Sequence, residues 1–437
     1  MKVFRYILFI LLGALFVLIW KSLPILSGYG AKVLCSGVFV AGREPEEVER
    51  DDLGDFPFNL VSFTVDRKDQ SVTGSVLGLA RKKAVFRQGL GGVLLNGVSE
   101  EAFKNRRVAL AVPPSLDPDT VNWPQGDRIA DTLQDGVDRA GIERAIDGAF
   151  REGKSHKRRT RAVIVLYKGQ LVGERYAPGF SRNTMQLGWS MTKSITNALL
   201  GILVKQGKLD IRSAAPVEAW RNDERRTITL TNLMNMRSGL RWWEFYAGPS
   251  ACTDMLFKEK DMGAFATGSP LKDTPGIRFT YSSGTANILS AIIRQTIGDN
   301  GYYRFPYEQL FFRIGMYHTL LEPDAGGTFV GSSYCYATPR DWARFGLLYL
   351  NDGVWGGERI LPEGWVDFTR SGTGYGALWW LKKYPHVPAD CYSCEGYEGQ
   401  HVWVIPSRKL VVVRLALEHG DKLDTDHFLG QILASTR

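Results

Sequence analysis

The chain opens with an apolar segment. Residues Tyr6 to Trp20 carry no charge, and a second apolar patch, Leu23 to Leu26, follows Lys21. Fifteen helical residues span about 22 Å, which is short of the roughly 30 Å hydrocarbon core of a bilayer. The run from Tyr6 to Leu26 is long enough if the Lys21 side chain reaches the polar interface. Residues 1–30 are therefore predicted to be a membrane anchor or a signal peptide.

The flanks of this segment favour the anchor. Lys2 and Arg5 precede the run, and basic flanks stay in the cytoplasm, so the rest of the chain is predicted to lie across the membrane. Gly28-Tyr29-Gly30 is only a weak match to a signal-peptidase site. We expect an uncleaved, single-pass helix in the cell inner membrane, with the rest of the chain on the periplasmic side. The alternative is cleavage and secretion to the periplasm.

The pattern changes after residue 30. Short alternating runs between turn residues, such as Leu60 to Val65 and Ser71 to Leu79, predict a small β-rich extension. Pro113 to Pro124 contains four prolines and marks a linker. We therefore divide the chain into 1–30, an extension with its linker at 31–125, and a domain at 126–437. The role of residues 31–125 is left open.

The first candidate for chemistry is Ser190, with Lys193 three residues later. They precede an apolar helical pattern that ends near Gly207, and residues at i and i+3 share one helix face. A lysine can accept a serine proton only when it is neutral. Lowering its pKa from about 10.4 to about 7 disfavours the ammonium by roughly 4 to 5 kcal/mol, which burial and a helix dipole can supply. Ser269 and Lys272 have the same spacing but lie among Gly and Pro residues, so no helix holds them together.

Two further elements follow in order. Tyr281-Ser282-Ser283-Gly284 opens a second apolar helical pattern, Ala286 to Ile297. Gly396-Tyr397-Glu398-Gly399-Gln400 leads into an alternating run, His401 to Ile405, that predicts a strand. Each of these short elements could be purely structural, as a turn before a helix or as a bulge glycine.

With these three elements in this order, the chain resembles the serine hydrolases of the penicillin-recognising fold. The resemblance is to the class C β-lactamase-like branch, which includes esterases and 6-aminohexanoate-dimer hydrolases. It covers about Trp123 to Arg437, and the segments Ile228 to Leu240 and Asp341 to Leu348 also match the family. It implies an α+β, β-lactamase/transpeptidase-like fold: an antiparallel sheet flanked by helices, with an all-helical subdomain. The membrane segment and the β-rich extension would precede it.

The resemblance also implies a role for each matching residue. Ser190 would be the acylated nucleophile, Lys193 its proton acceptor and Tyr281 the relay of a proton to the leaving group. The backbone N–H groups of Ser190 and Gln400 would form the oxyanion hole. The substrate-binding positions would be Ser283, Tyr397, Glu398 and Gly399.

Two departures from the family pattern affect the substrate. Where penicillin-binding enzymes place a lysine or histidine for a substrate carboxylate, this chain has Tyr397-Glu398, and Ser283 replaces an asparagine. Both changes favour a hydrolase of small amides or esters, of the 6-aminohexanoate-dimer type, that works through an acyl-enzyme. The alternatives are a β-lactamase or D,D-peptidase acting on cell-wall peptides, and a non-catalytic protein that binds such peptides. The natural substrate is left open.

Composition and charge exclude other classes. The 437 residues are 44% hydrophobic and 23% charged, within the globular range. The net charge of +8 includes a basic run, Lys154 to Arg161, without interleaved aromatics, so we expect a solvated loop and no nucleic-acid partner. The six histidines show no metal-binding spacing and no phosphate loop is present, so neither a metal nor another cofactor is expected.

The cysteines and the oligomeric state are undetermined by sequence. Outside the cytoplasm, a disulfide is plausible among Cys252, Cys335, Cys391 and Cys394, but inert thiols are equally compatible with the spacing. Neither the connectivity nor the number of copies in an assembly follows from the sequence.

Overall fold

The fold is described from a computed structural model. It covers residues 2–129, 135–153, 158–420 and 422–436. Lys154 to Lys157, the first half of the basic run predicted as a solvated loop, lie outside the described residues.

The N-terminal part is a long helix with a sheet packed against it. Its elements are, in chain order, α1 (Lys2–Phe39), α2 (Pro45–Asp51), β1 (Val61–Asp66), β2 (Ser71–Val76), β3 (Leu79–Arg87), β4 (Gly91–Leu94) and α3 (Glu100–Asn105). The four strands form one antiparallel sheet in the order β1-β2-β3-β4. Helix α1 packs along this sheet.

Helix α1 extends beyond the predicted boundary at residue 30. The sequence predicts strands and turns from Ala31, but the helix continues to Phe39, and this part of the prediction is wrong. Ala31, Leu34, Cys35 and Val38 recur at helical spacing and are buried. Packing of this face against the neighbouring elements stabilises the helix more than the turn-forming residues of the segment destabilise it. One continuous helix therefore joins the apolar N-terminal run to the core.

The rest of the chain builds a larger unit. Its elements are, in chain order, α4 (Arg139–Phe150), β5 (Thr160–Tyr167), β6 (Gln170–Tyr176), β7 (Gln186–Leu187), α5 (Thr192–Lys205), α6 (Leu230–Met234), α7 (Ala251–Lys258), α8 (Met262–Thr267), α9 (Ser283–Ile297), α10 (Asp299–Tyr302), β8 (Thr319–Leu321), β9 (Cys335–Ala337), α11 (Pro339–Leu350), β10 (Val354–Trp355), β11 (Glu358–Arg359), α12 (Trp365–Thr369), β12 (Gly374–Tyr375), β13 (Trp380–Leu381), β14 (Tyr392–Gly396), β15 (Gln400–Ile405), β16 (Leu410–Ala416) and α13 (Thr425–Ala434).

Seven of these strands form the central sheet. Their order is β12-β13-β14-β15-β16-β5-β6, and every neighbouring pair is antiparallel. Val163 and Val165 on β5 pack with residues of α4 and α13, whereas Ile164 and Leu166 point into the core on the other face, where α11 lies. Both faces are covered, which explains why β5 and β16 are almost entirely apolar.

The helical region lies between β7 and β8 in the chain. Helices α5, α6, α7, α8 and α10 pack around α9, which is buried along most of its length. The predicted antiparallel sheet flanked by helices, with an inserted helical region, is confirmed. The start of α5, the start of α9 and the β14–β15 turn carry the three sequence elements described above.

Candidate active site

A strained turn presents Ser190. Residues Trp189–Met191 form one 3₁₀ turn immediately before α5. Trp189 has φ +47, a left-handed conformation that is costly for a bulky side chain and that persists only where the surroundings enforce it. At Gly188, a Cβ atom would lie 2.3 Å from the Trp342 ring. The tight packing on both sides of the turn therefore sets the direction of the Ser190 side chain.

Lys193 lies beneath Ser190, one helical turn along. Its side chain is buried, and Nζ donates to Ser190 Oγ at 2.9 Å, Ser283 Oγ at 3.1 Å and the Ser332 carbonyl at 3.0 Å. These three acceptors match the three protons of an ammonium group. Burial lowers the pKa of Lys193 to about 8, although the nearby Glu244 carboxylate acts in the opposite direction. The amine can therefore exchange a proton near neutral pH.

Tyr281 lies on the other side of the lysine. Lys193 Nζ is 4.8 Å from the centroid of the Tyr281 ring, which stacks on Trp380 at 5.3 Å and meets Tyr375 edge-on. Burial, and then the charge of Glu244, raise the pKa of Tyr281 well above its ordinary value, while hydrogen bonding with Ser190 opposes this shift. The phenol therefore stays neutral at physiological pH.

Glu244 is a polar centre of the site that sequence reasoning missed. Its carboxylate accepts hydrogen bonds from the Ser283 backbone N–H at 2.9 Å, the Trp242 indole at 2.6 Å and the Tyr246 hydroxyl at 2.9 Å. It also accepts one from Ser283 Oγ, which lies between the carboxylate and Lys193. The available signal was one acidic residue among four aromatic residues at positions 242 to 246. That pattern is unusual for a solvated loop.

The third predicted element forms the turn between β14 and β15. Glu398 and Gly399 both have positive φ, +64 and +87. A Cβ atom at Gly396 would lie 2.1 Å from the Gly188 carbonyl oxygen, so this turn abuts the one that carries Ser190. The buried Gln400 side chain bonds the Ala416 N–H and the Tyr397 carbonyl, each at 3.2 Å. The structure thus brings the backbones of the two predicted oxyanion-hole residues to neighbouring turns.

Tyr397 and Glu398 face different surroundings. The Tyr397 ring stacks on Tyr246 at 5.0 Å and is 42% exposed, so it lies at the rim of the site. The Glu398 carboxylate accepts from the Trp189 indole at 3.3 Å and the Tyr29 hydroxyl at 3.5 Å, and it also contacts His419 at 3.2 Å. Because Tyr29 belongs to α1, the N-terminal helix reaches the residue that precedes Ser190.

The cysteines form no disulfide among the residues that the structure describes. Cys252, Cys335, Cys391 and Cys394 are buried free thiols in the structure. Within the described ranges, no group of three or more His, Cys, Asp or Glu side chains is arranged to hold a metal ion.

Comparison with known proteins places this geometry in a family. The family model described as Beta-lactamase matches residues 130–430, well over half of the chain. The 6-aminohexanoate-dimer hydrolase of Paenarthrobacter ureafaciens is 23% identical over 300 residues, which cover 62% of this chain and 75% of that protein.

Two solved structures share the fold. A provisionally named 6-aminohexanoate-dimer hydrolase from Bacillus anthracis has a TM-score of 0.59 at 22% identity, covering 71% of this chain and 87% of that one. A class C β-lactamase in complex with cefoxitin has a TM-score of 0.54 at 15% identity, covering 68% of this chain and all of the other. The β-lactamase/transpeptidase-like fold implied by the sequence resemblance is thereby confirmed. The chain belongs to the Beta-lactamase family, as a serine hydrolase similar to 6-aminohexanoate-dimer hydrolase.

Proposed function

We propose that this protein is a membrane-anchored serine hydrolase that cleaves small amides or esters, with Ser190 as its nucleophile. The observation that carries the proposal is the buried Lys193 amine, 2.9 Å from Ser190 Oγ. A pKa of about 8 leaves roughly one tenth of the lysine neutral at pH 7, enough to serve as a general base.

In the first step, Lys193 takes the Ser190 proton as Oγ attacks the carbonyl carbon. The electron pair of the carbonyl moves to oxygen, and the backbone N–H groups of Ser190 and Gln400 stabilise the resulting oxyanion. The packing of Gly396 against the Gly188 carbonyl supports this assignment, because it holds the two donor turns side by side. Losing one such donor typically costs about 10² to 10³ in rate.

In the second step, the tetrahedral intermediate collapses and the leaving group departs with a proton. Tyr281 is suited to supply it, since its raised pKa keeps the phenol protonated. The resulting phenolate recovers a proton from the Lys193 ammonium, which returns both groups to their starting protonation states. Water then attacks the acyl carbon and gives a proton to the neutral Lys193 amine, and as the bond to Ser190 Oγ breaks, that proton passes to Oγ and the carboxylic acid is released.

The binding residues support a substrate without a carboxylate anchor. Ser283 is held by Glu244 and Lys193, while Tyr397 stacks on Tyr246 at the rim. Glu398 adds a negative charge beside the turn, and Gly399 lies against the Glu418 carboxylate, so neither supplies a cation. Because these residues offer no cation for a substrate carboxylate, they support a small amide or ester that is held by other contacts.

The N-terminal helix supports an uncleaved anchor in the inner membrane. Residues Val3 to Trp20 are exposed and do not contact the core, whereas Ile25, Ser27, Tyr29 and Leu34 are buried. Cleavage at Gly28 to Gly30 would remove Ile25 and Tyr29, and with Tyr29 the ring that stacks 6.0 Å from Trp189. We therefore place the body of the protein on the periplasmic side. We keep residues 126–437 as the hydrolase domain, with α1 and the extension packed against it.

The sequence offers a matched control for testing the nucleophile and base. Fluorophosphonate labelling followed by mass spectrometry should place the adduct on Ser190, whereas labelling elsewhere contradicts the assignment.

We expect Lys193→Ala to lower kcat/KM at least about 10³-fold towards p-nitrophenyl esters and 6-aminohexanoate dimer. Lys272→Ala, which removes the lysine of the second Ser-x-x-Lys match, should leave the rate unchanged. Nitrocefin turnover that exceeds turnover of these substrates and requires Ser190 would favour a β-lactamase instead.

A further inference from the structure

Three exposed leucines lie together at one edge of the N-terminal sheet. Leu77 lies in the turn of the β2–β3 hairpin and is 88% exposed, and Leu79, the first residue of β3, is 50% exposed. Leu60, directly before β1, is also 50% exposed. Val61 pairs with Val76, so Leu60 lies beside the hairpin tip. We call Leu60, Leu77 and Leu79 the leucine edge.

The direction of this sheet relative to α1 follows from two close contacts. A Cβ atom at Gly74 would lie 2.8 Å from the Ser27 carbonyl oxygen, and one at Gly92 would lie 2.7 Å from Ser36 Oγ. In the sheet, Gly74 pairs with Lys82 and Gly92 pairs with Phe86. Lys82 is therefore at the level of Ser27, and Phe86 at the level of Ser36.

The two spacings agree, so the strands run alongside the helix. Four strand residues, from Lys82 to Phe86, cover about 13 Å. Nine helical residues, from Ser27 to Ser36, cover about 13.5 Å. The start of β3 therefore points towards the exposed N-terminal half of α1, which is where the apolar anchor lies.

The same arithmetic gives the level of the leucine edge. Leu79 is three residues before Lys82, about 10 Å further along the strand. Lys21 is six residues before Ser27, about 9 Å further along the helix. The leucine edge thus stands level with Lys21, where the exposed apolar run Val3 to Trp20 ends.

We propose that the leucine edge is a second membrane contact. It enters the headgroup and upper acyl region of the leaflet that faces the body of the protein. The proposal rests on α1 being an anchor, but not on the hydrolase chemistry. The occupant is a lipid surface because the anchor itself sets this level, and the sheet packs directly on the helix. A helix tilt of about 20° shifts an edge about 10 Å from the axis by only 3 to 4 Å. Arg81, exposed two residues after Leu79, is placed to meet anionic headgroups.

This second contact has a consequence for the site. Two contacts fix the orientation of the body on the bilayer, whereas a helix alone leaves rotation about its axis free. Tyr29 stacks on Trp189 and lies about 14 Å above Trp20 along α1. The Ser190 turn is thereby held at a fixed height above the membrane surface and in a fixed orientation relative to it.

The test uses the full chain in nanodiscs with single labelled cysteines. All five native cysteines are buried, so an environment-sensitive fluorophore should react at Leu77→Cys. The matched control is Gln88→Cys, exposed in the turn at the other end of β3. The second control is Leu12→Cys in the middle of the apolar run. Quenching by lipids with a nitroxide high on the acyl chain is compared among the three.

We expect Leu77→Cys to be quenched at least about threefold more strongly than Gln88→Cys, and Leu12→Cys to respond best to a deep nitroxide. If Leu12→Cys is quenched but Leu77→Cys matches Gln88→Cys, the leucine edge does not touch lipid and this inference is overturned. If Leu12→Cys is not quenched, the anchor proposal fails as well. A blue shift at position 77 without lipid quenching would mean that a protein covers the edge instead, which also overturns the proposal.

Discussion

The pH dependence of turnover is the sharpest consequence of the site. If Lys193 must be neutral to accept the Ser190 proton, kcat/KM follows the neutral fraction of the lysine. The pKa of about 8 gives neutral fractions of about 1% at pH 6, 9% at pH 7, 50% at pH 8 and 91% at pH 9. We therefore expect kcat/KM to rise about ninefold from pH 6 to 7, about fivefold from 7 to 8, and less than twofold from 8 to 9.

The sign follows from the cause of the shift. Burial lowers the pKa of Lys193 from its ordinary value, so the base is active above, and protonated below, about pH 8. An ester substrate assayed at the isosbestic wavelength of p-nitrophenol avoids titration of the product itself. A rate that is flat between pH 6 and 9, or one that falls as the pH rises, would refute the assignment of Lys193 as the base.

The remaining predictions concern three other contacts. Glu244→Gln removes the anion that favours the Lys193 ammonium, so the rise in kcat/KM should move to lower pH. Glu224→Gln, at an exposed 3₁₀ turn, is the control and should leave the profile unchanged. A move to higher pH would contradict the electrostatic role of Glu244. Tyr281→Phe should slow amide hydrolysis at least about tenfold more than p-nitrophenyl ester hydrolysis, because an amine leaves only after protonation whereas p-nitrophenolate does not need a proton; equal losses on both substrates would argue against the relay. Lys32→Met leaves the buried Glu322 without its ion-pair partner and should destabilise the fold by about 3 to 5 kcal/mol in denaturant unfolding. The double variant Lys32→Met/Glu322→Gln should regain part of this loss, and no difference between single and double variants would contradict the pairing.

The elements of the site were predictable because each is local. Ser190 and Lys193 are three residues apart on one helix, and helical geometry alone brings their side chains together. The apolar helical pattern Ala286 to Ile297 similarly predicted α9, which follows Tyr281, and the alternation in His401 to Ile405 predicted β15, which begins at Gln400. The positive φ of Trp189 was not predictable, since the contacts of its ring with Tyr29 and Tyr397 join residues far apart in the sequence.

The contacts that tune the site are distant in sequence. The Ser332 carbonyl that binds Lys193 is 139 residues away, and Glu244 reaches Ser283 across 39 residues. No periodic pattern encodes such pairings, because they depend on how the helical region packs around α9. The carboxylate that influences both Lys193 and Tyr281 was therefore missed.

The sequence by itself determined the apolar N-terminal segment, the helical patterns of α5 and α9, the alternation in β15 and the serine–lysine pair, since these follow from local periodicity and hydropathy. Only the tertiary structure decided that α1 continues to Phe39 and touches Trp189, and that Lys32 is buried against Glu322. The physical reason is that the length of α1 depends on burial against the strands β2 to β4, and the ion pair of Lys32 on a residue much further along the chain. A chain segment cannot specify that burial until the domain has folded around it.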